Sequence, residues 1–188
     1  ISSMLNLTKF DNGTIEIHYQ LFPIQDLAFR TILMFESRLE KRNITLEGLD
    51  SEPVQVWGDP DLIGQVIYNL FENATKFVNT GGTITFTFKD EPNSTSIAIR
   101  NTGAGISKEE LPKIFERFYK SDDSRSHDKT GLGIGLDITK HIVRLHKAQI
   151  SVSSEEGEYT EFLIRLPKKD APAESPTENP EKQPKDAR

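Results

Sequence analysis

The chain has 188 residues, of which 35% are hydrophobic and 28% charged, so it is long enough for one ordinary globular domain with short extensions. Its net charge is −6 and it carries no basic stripe, which argues against nucleic acid as a partner. The absence of cysteine excludes disulfide scaffolds, Fe–S clusters and thiolate zinc sites, and no apolar run approaches the ~18 residues that a membrane-spanning helix requires.

The first part of the chain predicts the end of one helix, a strand, a longer helix and two more strands. Residues 1–12 have apolar side chains at helical spacing, and Gly13 follows them as a helix stop. Alternation predicts a strand over residues 14–19, and Pro23 opens the longer helix. The apolar residues of that helix are Ile24, Leu27, Ala28, Ile32, Leu33, Phe35 and Leu39. The two further strands are expected at residues 44–49 and 54–57.

The middle of the chain has clear signals for where its helices and strands begin. Asp59 and Pro60 are an N-cap residue and a first-turn proline, and the helix they open should run to about Val78. Strands are expected at residues 83–89 and 96–100, and Ser107 with Glu110 forms a capping-box pattern that predicts a short helix.

The last part is predicted as a mobile polar loop over residues 116–130, a helix over 134–146, and a hairpin made by residues 149–154 and 159–166. Residues 168–188 have frequent prolines and no apolar period, so we expect a disordered tail. The whole pattern predicts a two-layer α/β sandwich with a mixed, mostly antiparallel sheet and its helices packed on one face.

The predicted helix after Asp59 carries the first candidate site. Its apolar stripe is formed by Ile63, Ile67, Leu70, Ala74 and Phe77. A second stripe, about 100° away by helical geometry, carries Asn69, Asn73 and Lys76. Asparagine carbonyl oxygens suit a hard cation such as Mg²⁺, and a lysine suits a phosphate oxygen. The alternative is an ordinary solvated helix face.

Two glycine-rich turns follow. Asn101-Thr-Gly103-Ala-Gly105 comes after a predicted strand, where it is either a simple turn or a place of close backbone approach to a ligand. Gly131-Leu-Gly133-Ile-Gly135 leads directly into a predicted helix, whose first N–H groups favour phosphate. The second run is not a Walker loop, since no Lys-Ser/Thr follows its last glycine.

In combination these segments resemble the ATP-binding catalytic domain of bacterial sensor histidine kinases, which has the Bergerat fold. Asn69-Leu-Phe-Glu-Asn73-Ala-Thr-Lys76-Phe77 resembles that family's N box, and Asn101–Ile106 resembles its G1 box. Residues 114–120 resemble its F box, and Gly131–Leu136 its G2 box. The resemblance covers residues 14–167, and implies that residues 1–12 end a dimerisation-domain helix, 13–167 form the catalytic domain, and 168–188 are a polar tail.

The resemblance also implies roles for individual residues. Asn69 and Asn73 would hold Mg²⁺ against the phosphates, and Asn69 and Lys76 would be the catalytic residues. Position 101 would bond the adenine amino group, and Phe77 would flank adenine and ribose. The full ATP-binding set implied is Asn69, Asn73, Lys76, Phe77, Asn101, Gly103, Gly105, Ile106, Tyr119, Lys120, Thr130, Gly131, Leu132, Gly133, Ile134, Gly135 and Leu136.

Two positions depart from the family pattern. The G1 box usually begins with aspartate, and Asn101 replaces a charge-assisted acceptor with a neutral one, weaker by ~1 kcal/mol. Lys120 stands where arginine is common, so the charge survives without the bidentate fork. Asn101 keeps open an alternative class, a nucleotide-responsive regulatory module with a degenerate site. A large gain in ATP affinity on Asn101→Asp would favour that alternative.

The resemblance favours a kinase over a hydrolase. Hydrolytic ATPases of this fold place a glutamate four residues before the magnesium asparagine, and that position here is Asn69, while Glu72 points elsewhere on the helix. A serine kinase of the anti-sigma type is disfavoured by the well-formed 115–119 segment.

None of His18, His127, His141 and His146 has the context of a phosphoacceptor, so the acceptor is expected on a helix outside this chain. Since the chain begins at Ile1 without methionine or signal peptide, we expect a piece of a longer protein. Expected partners are its own dimerisation domain, in a homodimer, and a response-regulator receiver domain. We expect a cytoplasmic domain of a membrane-anchored sensor.

Overall fold

A computed structural model of the chain describes residues 16–116 and 134–169. The three helices of this part are α1 (Ile24–Lys41), α2 (Pro60–Phe77) and α3 (Gly135–Leu145). The strands are β1 (Gln20–Pro23), β2 (Thr45–Glu47), β3 (Gln55–Gly58), β4 (Thr83–Asp90), β5 (Ser94–Thr102), β6 (Gln149–Glu155) and β7 (Tyr159–Pro167). The predictions for residues 1–15, 117–133 and 170–188 lie outside the described residues, including the first helix, most of the polar loop and nearly all of the tail.

The main sheet has five strands in the order β2-β4-β5-β7-β6. β2 and β4 are parallel, and the other three pairings are antiparallel. β1 and β3 form a separate antiparallel pair. The mixed, mostly antiparallel sheet predicted from the sequence is therefore confirmed.

The helices cover one face of this sheet, and alternation decides which side chains they cover. In β4 every second residue is buried: Ile84, Phe86 and Phe88 point into the core. A chain of aromatic rings then crosses the two layers from α1 through α2 to β4, with centroid separations of 5.4 Å for Phe35–Phe71, 5.5 Å for Phe71–Phe86 and 5.9 Å for Phe86–Phe88. The two layers therefore share one hydrophobic core.

α2 is the element that positions the candidate site, and its start follows the local chemistry. The Asp59 carboxylate accepts hydrogen bonds from the backbone N–H groups of Asp61 and Leu62, at 3.0 and 3.2 Å. These bonds satisfy donors that have no partner within the helix. The helix ends at Phe77, one residue before the predicted end at about Val78, and four of its five predicted core residues are buried: Ile63, Ile67, Leu70 and Ala74.

Three predictions are wrong. Residues 16–19 are not a strand; β1 begins at Gln20 instead, because the Tyr19 ring packs against Trp57 and His146 while the His18 N–H donates to the Asp59 carboxylate. Leu33 does not face the core: it is 68% exposed, beside the equally exposed Met34.

The third wrong prediction is the helix at the Ser107–Glu110 capping box, where the described chain makes consecutive turns. The Ser107 hydroxyl bonds the Glu110 carboxylate at 3.1 Å instead of a backbone N–H. Pro112 has no N–H to give to the preceding turn, so a regular helix cannot propagate through it.

In the described ranges, none of the three helices has the apolar length needed to cross a bilayer.

Candidate functional site

The polar stripe of α2 lies at the edge of the core, as the sequence indicates. Asn69 is buried at 8% exposure, whereas Asn73, Lys76 and Phe77 are half-buried. The burial of Asn69 follows from helical geometry, because it stands three residues after Val66, which is 2% exposed, and residues three apart share a helix face. The stripe is therefore partly shielded from water, where charge–dipole interactions are stronger than on an open surface.

Asn69 joins α2 to the beginning of α3. Its amide nitrogen donates to the Gly135 carbonyl at 3.0 Å and to the Thr139 hydroxyl at 3.3 Å. The predicted N box and the described end of the predicted G2 box are thus in direct contact, although 66 residues separate them in sequence. The amides of α3 begin beside the polar stripe, and a helix N-terminus favours an anion.

The G1-box glycines meet the same region from the other side. Val78, just after α2, forms an antiparallel bridge with Gly103. A Cβ atom on Gly103, whose φ is +149°, would come within 2.2 Å of the Phe77 carbonyl oxygen. Only glycine fits this contact.

Gly105 is constrained in the same way by a different segment. Its φ is +71°, and an added Cβ would lie 2.2 Å from the Glu155 carbonyl oxygen at the end of β6. Its neighbour Ile106 donates its N–H to the Ser154 hydroxyl at 2.8 Å. The need for glycine at 103 and 105 is therefore explained by backbone packing within the protein, whatever the turn does for a ligand.

Asn101 is buried at 4% exposure at the end of β5. Its amide nitrogen donates to the Thr102 carbonyl at 3.1 Å. Because a carbonyl only accepts, this bond fixes the orientation of the amide and leaves the side-chain oxygen for another partner. The site thus presents a neutral acceptor where the family pattern has a carboxylate.

The charges of the site come from Lys76 and Glu72. Their charged atoms are 3.5 Å apart, on the same face of α2 one turn from each other. The Glu72 carboxylate is therefore engaged by Lys76, and the i, i+4 pairing shows that Glu72 lies on the same face of α2 as Lys76 and is not turned away from it.

The side-chain oxygens of the site indicate how it could hold a divalent cation. Asn69 and Asn73 bring neutral oxygens on successive turns, which suits a cation that takes most of its ligands from phosphates and water. The described residues contain no group of three or more His, Cys, Asp or Glu side chains arranged to hold a metal. The residues therefore fit Mg²⁺ bound together with a nucleotide better than Mg²⁺ bound by protein alone.

The other predicted residues divide into two groups. Ile134 is buried at the start of α3, and Leu136 and Ile106 are half-buried against the core. Tyr119, Lys120, Thr130, Gly131, Leu132 and Gly133 lie outside the described residues.

The start of the F-box stretch and His146 both pack within the protein. The Phe115 ring meets Phe162 of β7 edge-on at 6.2 Å, so the described start of the F box packs on the core. His146 is buried, and its ring nitrogens contact the Asp59 N–H at 3.1 Å and the Ile142 carbonyl at 2.9 Å. Both ring nitrogens are therefore engaged, which makes His146 a structural residue.

Sequence reasoning missed two residues that organise this site. Thr139 binds Asn69, and Arg42, the C-cap residue of α1, binds carbonyls at the end of α2. The available signal for Thr139 was its place four residues after Gly135, on a helix face that is otherwise apolar. Arg42 had no such signal, because its partners are more than 30 residues away.

Comparison with known proteins agrees with this geometry. Residues 58–170 match the family described as histidine kinase-, DNA gyrase B- and HSP90-like ATPases. The chain is 31% identical over 169 residues to the sensor protein SrrB of Staphylococcus aureus, covering 89% of this chain but only 29% of that protein.

Among solved structures, the chain is similar to the catalytic domain of the histidine kinase ThkA, with 27% identity and a TM-score of 0.69 over 80% of this chain and 95% of that one. The structure of ThkA with the response regulator TrrA matches 88% of this chain and 46% of that one, at 23% identity and a TM-score of 0.71, which bears on the fold alone.

Proposed function

Because the chain belongs to the family of histidine kinase-, DNA gyrase B- and HSP90-like ATPases, we propose that it binds ATP with Mg²⁺ and supplies the γ-phosphoryl group to a histidine on a separate acceptor helix. Within that family the chain is a catalytic domain of the sensor histidine kinase type, and it spans less than a third of the curated relative's length. The contact that carries the proposal is Asn69–Gly135, which brings the asparagine helix and the glycine-led helix together.

The described residues have distinct tasks in this proposal. Asn69 and Asn73 present neutral oxygens to the cation, and Lys76 presents a positive charge to a phosphate. Asn101 accepts from the adenine amino group through the oxygen that its bond to Thr102 leaves available. When bound, Mg²⁺ would neutralise phosphate charge, and phosphoryl transfer depends mainly on such neutralisation and on positioning.

The absence of a carboxylate at position 69 supports transfer to a histidine over hydrolysis. Asn69 is a neutral amide, which is not basic enough to take a proton from water, and its N–H groups hold α3. Glu72 is paired with Lys76. ATP would therefore persist in the site until an acceptor side chain arrives.

We propose the wider context on the strength of the relatives. A sensor protein among them supports a receiver domain as downstream partner. A homodimer formed through a dimerisation domain, the boundary of the catalytic domain at residues 13–167, and a cytoplasmic position in a membrane-anchored sensor belong to the same proposal.

Calorimetric titration of the chain with ATP tests binding directly. We expect binding in Mg²⁺, with a stabilisation of ~2.7 kcal/mol at a free ATP concentration of about 100 times the Kd. Asn73→Ala should weaken binding in Mg²⁺ about tenfold, equivalent to ~1.4 kcal/mol. Asn93→Ala is the matched control, because Asn93 is exposed in the turn before β5, at the end opposite Asn101. Equal effects of both variants would contradict the site assignment.

Phosphotransfer is tested with γ-labelled ATP. The chain alone should form no phosphohistidine, since His146 is buried with both ring nitrogens engaged and no other histidine has an acceptor context. A separately prepared acceptor-helix domain should become labelled when mixed with the chain. Labelled histidine on the chain alone would contradict the proposed division of tasks.

A further inference from the structure

Asn69 is held by two partners on α3. Its amide nitrogen lies 3.0 Å from the Gly135 carbonyl oxygen and 3.3 Å from the Thr139 hydroxyl oxygen. Thr139 has no exposed surface, and Asn69 has little. The contact is therefore enclosed, and water cannot readily replace either hydrogen bond if it is lost.

The chemistry of the partners fixes which way the Asn69 amide points. The Gly135 carbonyl can only accept, so the nitrogen and not the oxygen must face it. The second N–H of the same nitrogen then goes to Thr139. With both N–H groups occupied by α3, the remaining polar atom of the side chain is its carbonyl oxygen, which is the atom a hard cation binds.

Thr139 is also unusual for its helix. Its neighbours Ile138, Ile142 and Val143 are buried and apolar. A hydroxyl in such surroundings is unfavourable unless it is hydrogen-bonded, and the bond to Asn69 meets this requirement. A methyl group of the same size would pack equally well, so packing does not explain why a hydroxyl is present.

We propose that Thr139 is a positioning residue that keeps the Asn69 carbonyl oxygen directed at the cation of the bound nucleotide. Gly135 fixes the amide at one N–H, and Thr139 fixes the rotation of the side chain at the other. This inference rests on the proposed function, because it assigns Asn69 to the cation. Residues of this kind, which hold a ligand residue from behind, change metal affinity about 10- to 100-fold when they are removed.

The experiment measures the Kd for ATP in Mg²⁺ and in EDTA. Its readout is the Mg²⁺ advantage, defined as the Kd in EDTA divided by the Kd in Mg²⁺. Thr139→Val keeps the size of the side chain and removes the hydroxyl, and should reduce the Mg²⁺ advantage about tenfold with little change in EDTA. Thr139→Ser keeps the hydroxyl and should retain the advantage to within about twofold. Thr139→Ala serves the same purpose as valine if valine disturbs folding, which circular dichroism would reveal.

Thr95→Val is the matched control for loss of a buried hydroxyl. Thr95 is buried at the other end of β5 from Asn101, and its hydroxyl donates to the Gln55 carbonyl at 3.0 Å. This variant should lose stability and keep the Mg²⁺ advantage, so a purely structural role for Thr139 would give the same pattern.

A second readout needs no nucleotide. The two Asn69 side-chain amide protons, followed by NMR, should both be protected from exchange in the wild-type and Thr139→Ser proteins, and one should lose protection in Thr139→Val. An unchanged Mg²⁺ advantage in a folded Thr139→Val protein would overturn the inference and leave the proposed function standing. Failure of the wild-type chain to bind ATP under either condition would overturn both.

Discussion

At the scale of single residues, the site is organised by amides whose orientation is fixed by main-chain carbonyls. Asn69 donates to Gly135 and Asn101 donates to Thr102, at 3.0 and 3.1 Å. Each bond consumes a donor and leaves an oxygen as acceptor. The two predicted ligand residues at opposite sides of the site are thus oriented before any ligand binds, which lowers the ordering cost of binding.

The glycines at the site differ in what they require, and this predicts different mutational effects. Gly105→Ala should lower the free energy of unfolding by at least ~2 kcal/mol, because it combines a positive φ with a Cβ only 2.2 Å from the Glu155 carbonyl oxygen. Gly135→Ala is its control, since an added Cβ there meets Asn69 at an ordinary 3.7 Å and the position is helical. It should change stability by less than ~1 kcal/mol. Urea unfolding measures both, and equal losses would contradict the contact described for Gly105.

Tyr19 predicts a pH dependence of stability. Burial raises the pKa of its phenol, and the Asp59 carboxylate raises it further. The folded chain therefore keeps this proton at a pH where the unfolded chain releases it, so the contribution is complete below about pH 10 and is lost as pH rises through the folded pKa. Urea unfolding between about pH 8 and 11 should show a steeper decline for the wild-type protein than for Tyr19→Phe. Parallel declines would contradict the prediction.

At the scale of elements, the last turn of α1 and its C-cap residue Arg42 hold the end of α2. The Arg42 guanidinium donates to the carbonyls of Thr75, at 2.6 Å, and Val78. Arg38, one turn earlier on α1, donates to the Thr75 hydroxyl at 3.2 Å. The last carbonyls of a helix have no partner within it and carry partial negative charge, so a guanidinium is well suited to them. This contact fixes the turn that carries Lys76.

Arg42→Ala should lower the free energy of unfolding by ~1–3 kcal/mol, because it leaves part-buried carbonyls without their charged donor. It should also weaken ATP binding, since the turn of Lys76 loses its support. Lys41→Ala is the matched control, as Lys41 is the exposed last residue of α1. Urea unfolding and ATP titration measure the two effects, and similar results for the two variants would exclude a specific role for Arg42.

At the scale of the whole molecule, one core connects all of the described layers. Buried residues from α1, α2, α3 and the five-stranded sheet belong to a single hydrophobic cluster. The aromatic rings from Phe35 to Phe88 form a continuous contact across it. Such a core leaves no boundary at which one layer could unfold alone.

Unfolding should therefore be a single cooperative transition. Trp57, the only tryptophan of the chain, reports on β3 beside Tyr19, while far-UV circular dichroism reports on all helices and strands. The two signals should give the same urea midpoint and the same slope. Separate midpoints would show that β1, β3 and their surroundings unfold independently of the main sheet.

Sequence alone determined the elements whose signals are local. Asp59 and Pro60 fixed the start of α2, and the strict alternation in β4 fixed its buried face. The stripe of Asn69, Asn73 and Lys76 followed from helical periodicity, because covalent geometry alone places residues four apart on one face. A local signal failed at Ser107, because Pro112 stops the helix that the capping pattern would begin. Another failed at Leu33, whose helical spacing suits a buried face although the residue is exposed in α1.

Only the tertiary structure decided which distant groups meet. The contacts of Thr139 with Asn69, of Arg42 with the end of α2, and of Gly105 with Glu155 at the end of β6 span 33 to 70 residues of sequence. No periodicity encodes such contacts, because they depend on how the helices and the sheet pack together. The residue types of the site were readable from the chain, whereas the direction in which each amide points was set by the carbonyls that packing brought beside it.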